Sequence, residues 1–102
     1  MNMGDLLKQA QQFQQKLTEI QQELGNKTVT GTAGGGMVTA TFNGRSELTG
    51  ITIEKEVVNP EDVQLLQDLV ASAVNDGLIK SKELGKTEMS KLTGGMNIPG
   101  LI

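Results

Sequence analysis

The sequence contains no cysteine and no histidine. Without cysteine there is neither a disulfide framework nor a thiolate metal site. Without histidine the chain lacks the commonest general base and the commonest metal ligand. The acidic residues near the predicted strand ends show no ligand spacing. We therefore predict that the protein is not an enzyme and that it uses no metal or cofactor.

Aromatic residues are also scarce, with two Phe and no Trp or Tyr among 102 residues. Platforms for single-stranded nucleic acid stack bases on aromatic side chains, so such a platform is disfavoured. A short chain with a core of Leu, Val, Ile and Ala leaves much of its surface exposed, which favours one domain that dimerises. We see no leader peptide and no apolar run near the roughly 20 residues of a membrane helix, and expect a cytoplasmic protein.

The formal net charge is −3, but the charges are unevenly distributed. Residues 60–79 contain four acidic residues and no basic one, whereas residues 80–102 contain four lysines and two glutamates. The net charge alone argues against a nucleic-acid partner. The basic C-terminal segment leaves a local contact with an anionic partner open.

The N-terminal segment predicts a helix from about residue 5 to residue 24. Apolar residues recur there at alternating spacings of three and four, which is a heptad seam suited to packing against another helix. Gly25 and Asn26 tolerate the left-handed conformation and are expected to end the helix. The seam consists of Met3, Leu6, Ala10, Phe13, Leu17, Ile20 and Leu24.

The middle of the chain predicts three strands in an antiparallel meander. Residues 28–33 and 38–42 alternate apolar with polar side chains, and Ile51 and Ile53 mark a third strand. Residues 34–36 are all glycine and read as a turn, because a phosphate-binding loop would need a following lysine and a helix. The Asn43-Gly44 pair is a hairpin signal. In this register one face of the sheet is apolar, and Leu48 falls on the other, Thr-rich face.

The last segment predicts a second long helix that starts at Asn59 and Pro60, with Asn59 as its cap. An apolar stripe broad enough to cover the sheet then follows, and it ends near Ile79. Beyond Ile79 the helix is expected to leave the body of the protein and to be weakened at Gly85. We predict one domain over residues 1–92 and a flexible tail over residues 93–102. The stripe consists of Leu66, Leu69, Val70, Ala73, Val74 and Gly77.

The lysines of the two helices form the one plausible functional set. From composition alone we favour ordinary solubilising charge as the explanation for these lysines, but a dimer would double the set and make contact with duplex DNA feasible. An Arg at position 45, beside the Asn-Gly turn, is a further candidate for a phosphate, although exposed loop arginines usually have no special role. The set consists of Lys8, Lys16, Lys80, Lys82, Lys86 and Lys91.

Five stretches in this order resemble the YbaB/EbfC family of bacterial nucleoid-associated proteins. They are residues 6–16 (LLKQAQQFQQK), 29–38 (VTGTAGGGMV), 42–44 (FNG), 68–76 (DLVASAVND) and 92–100 (LTGGMNIPG). The resemblance covers nearly the whole chain. It implies an α+β fold of order α-β-β-β-α and a tweezer-like homodimer with helical arms. It also implies binding of duplex DNA with a change in DNA conformation, and a role in nucleoid organisation or gene regulation.

Two functions therefore remain open. The first is a dimeric, non-catalytic DNA-binding protein whose six lysines contact phosphates, which position a protein on DNA without reading its bases. The second is a protein-interaction module that uses the heptad seam and the apolar tail. Binding to duplex DNA at low salt that is lost as salt rises would distinguish the first from the second.

Overall fold

The computed structural model describes residues 2–92, and the tail predicted for residues 93–102 lies outside them. Two long helices flank a three-stranded antiparallel sheet of order β1-β2-β3. This confirms the predicted α+β architecture. The elements are α1 (Met3–Asn26), β1 (Thr28–Ala33), β2 (Val38–Asn43), β3 (Leu48–Ile53) and α2 (Val63–Leu92), with short 3-10 turns at Gly34–Gly36 and Lys55–Val57.

The helix α1 is longer than predicted at both ends. It begins at Met3 because the side chain of Asn2 accepts a hydrogen bond from the Asp5 N–H at 2.9 Å. The expectation that Gly25 and Asn26 end the helix in a left-handed conformation is wrong, since both are helical and neither has a positive φ. A Cβ at Gly25 would lie 2.8 Å from Nη2 of Arg45. Glycine at this position therefore makes room for an arginine rather than for a turn.

The sheet has the apolar face that the alternation predicts. Val29 pairs with Phe42 and Ala33 with Val38, while Ile53 pairs with Val38 across the other ladder. Directly paired residues share a face, so these side chains lie on one side. Val38, Ala40 and Phe42 are buried there. The triple-glycine turn is also confirmed, with φ values of +63°, +69° and +97° at Gly34, Gly35 and Gly36 that favour glycine.

The predicted position of Leu48 is wrong. A β-bulge between Thr41 and Phe42 shifts the register, so that Leu48, rather than Thr49, is the partner of Phe42. One extra residue reverses the alternation beyond it. Leu48 therefore joins the apolar face, where it is still 47% exposed.

The start of α2 also differs from the prediction. Asp62, not Asn59, caps the helix, because its Oδ1 accepts a hydrogen bond from the Leu65 N–H at 3.2 Å. Asn59 instead closes a preceding turn, in which its side chain accepts from the Glu61 N–H and its carbonyl accepts from the Asp62 N–H. Pro60 lies inside that turn.

The apolar stripe of α2 packs on the sheet as predicted. Ala73 is fully buried, and Leu66, Leu69, Val70 and Val74 pack against the core cluster. The contact with β1 is very close, since a Cβ on Gly31 would overlap the backbone of Ala73 and Gly77. Two glycines thus allow the helix and the strand to touch through their backbones.

The second half of α2 is not a free extension, because it packs against α1. The helix continues through Gly85 to Leu92, and Ser81 and Glu88 on it are buried. Lys16 shares a cleft with Leu92, whereas Leu24 shares one with Ser81, so this half of α2 runs antiparallel to α1. We call α1 together with residues 80–92 the arm.

Candidate nucleic-acid interface

All six predicted lysines lie on the arm, but they occupy different surroundings. Lys8 is near the N-terminal end of α1, in a shallow cleft with Asp5. Lys16 lies further along α1 and shares a cleft with Lys91. Lys80, Lys82 and Lys86 lie along α2, where the arm joins the sheet. The structure therefore brings some of the lysines together and separates others.

Lys80 is held against the edge of β1. Its Nζ lies 3.1 Å from Oδ2 of Asp76 and donates to the carbonyl oxygen of Thr30 at 3.2 Å. The same Asp76 oxygen accepts from the Thr32 N–H at 3.0 Å. This backbone hydrogen bond, together with Lys80, lowers the pKa of Asp76 below its ordinary value of 3.8. Lys80 thus helps to satisfy the outer backbone groups of an edge strand.

Lys91 belongs to a charge cluster that ties α2 to α1. Oε1 of Glu88, a residue only 7% exposed, accepts from Nζ of Lys27 at 2.8 Å and from Nζ of Lys91 at 3.2 Å. These hydrogen bonds, with Lys27 the stronger influence, lower the pKa of Glu88 below its ordinary value of 4.5. The adjoining cleft also contains Lys16, Glu19 and Glu23. Its mixed charge suits a link between two helices better than a DNA contact.

Lys82 and Lys86 have different surroundings. They lie one turn apart on α2, beside a cleft of about 360 Å³ between α1, the β2–β3 turn and α2. Arg45 enters the same cleft from the turn, and the charged residues lining it are these three alone. Among residues 2–92, Lys82 and Lys86 have no hydrogen bond or ion pair through their side chains. We call the cleft lined by Arg45, Lys82 and Lys86 the basic notch.

A buried serine positions the turn that carries Arg45. Ser81 is fully buried, and its Oγ donates to the carbonyl oxygen of Asn43 at 2.6 Å and accepts from the Ser46 N–H at 2.9 Å. Ser46 has a φ of +64°, which is uncommon for a residue with a side chain. The side chain of Asn43 also accepts from the Arg45 N–H at 2.9 Å. The turn is therefore fixed to α2 by hydrogen bonds.

Arg45 is the residue that the set of six lysines omits. Its Nε lies 3.3 Å from Oε1 of Glu47, while both side chains remain about half exposed. Within the described part of the chain this is the one ion pair of its guanidinium, so the two terminal nitrogens have none. The sequence signal that points to it is its place beside the Asn43-Gly44 turn, which made it a further candidate for a phosphate contact.

Residues 2–92 offer neither a metal site nor a membrane span. No cluster of acidic residues in this part of the chain could hold a metal ion. No helix there is both long enough and apolar enough to span a membrane.

The chain is similar to a known family over nearly its whole length. A model of the YbaB/EbfC DNA-binding family matches residues 1–96. Nucleoid-associated protein CA_C0126 of Clostridium acetobutylicum is 54% identical over 100 residues, which cover 98% of this chain and 89% of the relative. Nucleoid-associated protein TTE0040 of Caldanaerobacter subterraneus subsp. tengcongensis is 53% identical over 100 residues, with 98% and 90% covered.

A solved structure has a similar fold. The uncharacterized protein HP0035 from Helicobacter pylori superposes with a TM-score of 0.83 at 26% identity, covering 92% of this chain and 99% of that one. Its similarity extends to the helices and the sheet together. The chain therefore belongs to the YbaB/EbfC DNA-binding family.

Proposed function

We propose that this protein is a non-catalytic, nucleoid-associated protein of the bacterial cytoplasm that binds duplex DNA as a homodimer and changes its conformation. Nucleoid organisation and gene regulation are the roles that such binding would serve. Membership of a DNA-binding family carries the proposal, together with unpaired cations on a protruding helical arm. The proposed contacts are Lys8, Lys16, Lys80, Lys82, Lys86 and Lys91 with backbone phosphates.

These six lysines do not contribute equally. Lys80 and Lys91 already neutralise Asp76 and Glu88 and are held by them, so they release fewer counterions on binding. The remaining four have no ion pair within residues 2–92. With a net charge of −3, the protein would approach DNA only through the arm, and its affinity would be modest.

Dimerisation is supported by the open side of the sheet. All six residues of β3 are exposed, and within residues 2–92 the strand pairs only with β2. Its apolar side chains include Ile51 at 41% and Ile53 at 36% exposure. An exposed apolar edge strand is a template for pairing with another chain. A second copy at this edge would bury these side chains and present two arms to one duplex.

A salt titration tests the proposal. The parent protein should bind unrelated duplexes with equal affinity at low salt, because phosphate contacts carry no base sequence. The affinity should fall as salt rises, with a slope of about 0.9 per phosphate contact. Replacing Lys82 and Lys86 by Gln should weaken binding more than replacing Lys80 and Lys91. A parent protein that does not bind duplex DNA at low salt would contradict the proposal.

One observation favours a second function, that of a protein-interaction module. The N-terminal half of the heptad seam is exposed, with Met3 at 75%, Leu6 at 49% and Phe13 at 42%. Exposed apolar seams of this spacing often receive a partner helix. This function would be favoured by two results together. The parent would bind a defined helical partner but not DNA, and Leu6→Lys would no longer bind that partner.

A further inference from the structure

We infer that the basic notch is where a backbone phosphate of duplex DNA is held, with Arg45 as the central contact. This inference rests on the proposed function and assigns the site within the arm. It adds a residue outside the two helices. It also distinguishes Lys82 and Lys86, which line the notch, from Lys80 and Lys91. The latter two lie on the same helix but form ion pairs with Asp76 and Glu88.

The first support is the charge of the notch. Three cations from two separate elements line one cleft, and no carboxylate lines it. Lys82 and Lys86 are spaced i, i+4, an arrangement of like charges that disfavours the helix. Every other lysine of the second half of α2 has an acidic partner. A phosphate in the notch would supply the missing negative charge.

The second support is that the guanidinium is positioned before any ligand arrives. Buried Ser81 holds the β2–β3 turn by two hydrogen bonds, and Ser46 takes an uncommon positive φ to complete it. Backbone strain of this kind is typical of binding sites, where the surrounding structure has to maintain it. Gly25 leaves the space that the guanidinium occupies against α1. Arg45 therefore loses little conformational freedom on binding.

The third support is the geometry of Arg45. Its ion pair with Glu47 uses Nε, and the terminal nitrogens carry no other bond within residues 2–92. A guanidinium offers its donors in a planar fork that matches two phosphate oxygens. Lys82 and Lys86 add two point charges in the same cleft. The notch thus combines one directional donor with two flexible ones.

The test compares Arg45→Gln with Lys55→Gln in duplex binding over a range of salt. Lys55 is an exposed lysine of the second 3-10 turn, away from the notch and without an ion pair within residues 2–92, so it is a matched loss of one charge. At about 0.1 M salt, Arg45→Gln should weaken binding about eightfold and lower the salt slope by about 0.9, the values for one phosphate that is no longer neutralised. Lys55→Gln should change neither quantity. Arg45→Lys should restore the slope but not the full affinity.

Further measurements distinguish the possible failures. All variants should keep the parent's melting curve, which excludes unfolding as the cause. If the parent binds DNA and Arg45→Gln binds with the parent's salt slope, the assignment of a phosphate to the basic notch is wrong but the proposed function stands. If the parent itself does not bind, the proposed function fails. Inorganic phosphate should displace the duplex no better than chloride of equal ionic strength, and stronger displacement would assign the notch to free phosphate instead.

Discussion

The two edge strands of the sheet, β1 and β3, have opposite surroundings. On β1, the side chains of Asp76 and Lys80 reach from α2 to the outer Thr32 N–H and Thr30 carbonyl. On β3, every residue is exposed, and no second strand or helix covers the edge within residues 2–92. Unpaired edges attract other strands. Helix α2 therefore occupies the edge of β1, and the edge of β3 remains available to a second chain.

The difference between the edges is tested most strongly by adding a methyl group to each strand. A Cβ at Gly31 of β1 would overlap the backbone of Ala73 and Gly77, whereas a Cβ at Gly50 of β3 would meet nothing within 4 Å. We expect Gly31→Ala to reduce the free energy of unfolding by about 3 kcal/mol, because a packed backbone contact is forced apart. Gly50→Ala should be neutral or stabilising. Equal denaturation midpoints for the two variants would show that α2 is not tightly seated on β1.

Introducing a lysine at each edge should give the next largest effect, which is a change in the dissociation constant of the proposed dimer. In a symmetric dimer, Ile51→Lys places two like charges in the interface proposed at β3, one from each protomer. It should raise the dimer dissociation constant about tenfold or more. Thr28→Lys adds the same charge to β1 and should leave the dimer intact. Sedimentation over a concentration series measures both. Dissociation by Thr28→Lys alone would place the interface on β1, and a parent that is monomeric throughout would reject the dimer.

Lowering the pH gives the smallest effect, and it acts on the β1 edge and on the contact between α1 and α2 but not on β3. The folded pKa of Asp76 lies below 3.8 and that of Glu88 below 4.5. The stability from each carboxylate is therefore complete above these ordinary values and is lost as pH falls through the lowered ones. The melting temperature should be constant above about pH 5.5 and fall below about pH 4. Glu88→Gln should melt lower than the parent at neutral pH and lose less on acidification.

Hydrogen exchange at single amides shows where in the fold the effect of low pH arises. In the parent, the protection factor of the Thr32 amide should decrease as the pH is lowered, because its acceptor is the Asp76 carboxylate. In Asp76→Ala, which removes the acceptor, that protection should be low at every pH. Amides of β2 that bond within the sheet serve as the control. A pH-independent Thr32 amide in the parent would show that the carboxylate does not hold the edge.

Most of the fold is local in origin and was therefore predictable. The alternation in residues 28–33 and 38–42 determines which side chains face α2, and the stripe from Leu66 to Val74 has the spacing of a helix that covers a sheet. The errors have a different origin. Leu48 changes face because of one bulge residue, and the N-terminus of α2 moves from Asn59 to Asp62 because a turn competes for the same backbone groups.

The candidate site was predictable only in part. Helical spacing places Lys82 and Lys86 on one face, and the composition of the C-terminal segment indicates a basic region there. Helical spacing also allows the ion pairs of Lys80 with Asp76 and of Lys91 with Glu88, but the sequence does not reveal that Lys80 also donates to the carbonyl oxygen of Thr30. The Thr32 N–H on β1 reaches the Asp76 carboxylate only after the helix has packed on the sheet.

The sequence by itself determined the order of elements, the apolar faces and the family to which the chain belongs, because periodicity and turn residues act over a few positions. Only the tertiary structure decided which edge stays open and which cations converge. Arg45 meets Lys82 and Lys86 because buried Ser81 fastens a turn to a helix 35 residues away. Such contacts depend on long-range packing, for which no short pattern in the chain provides a signal.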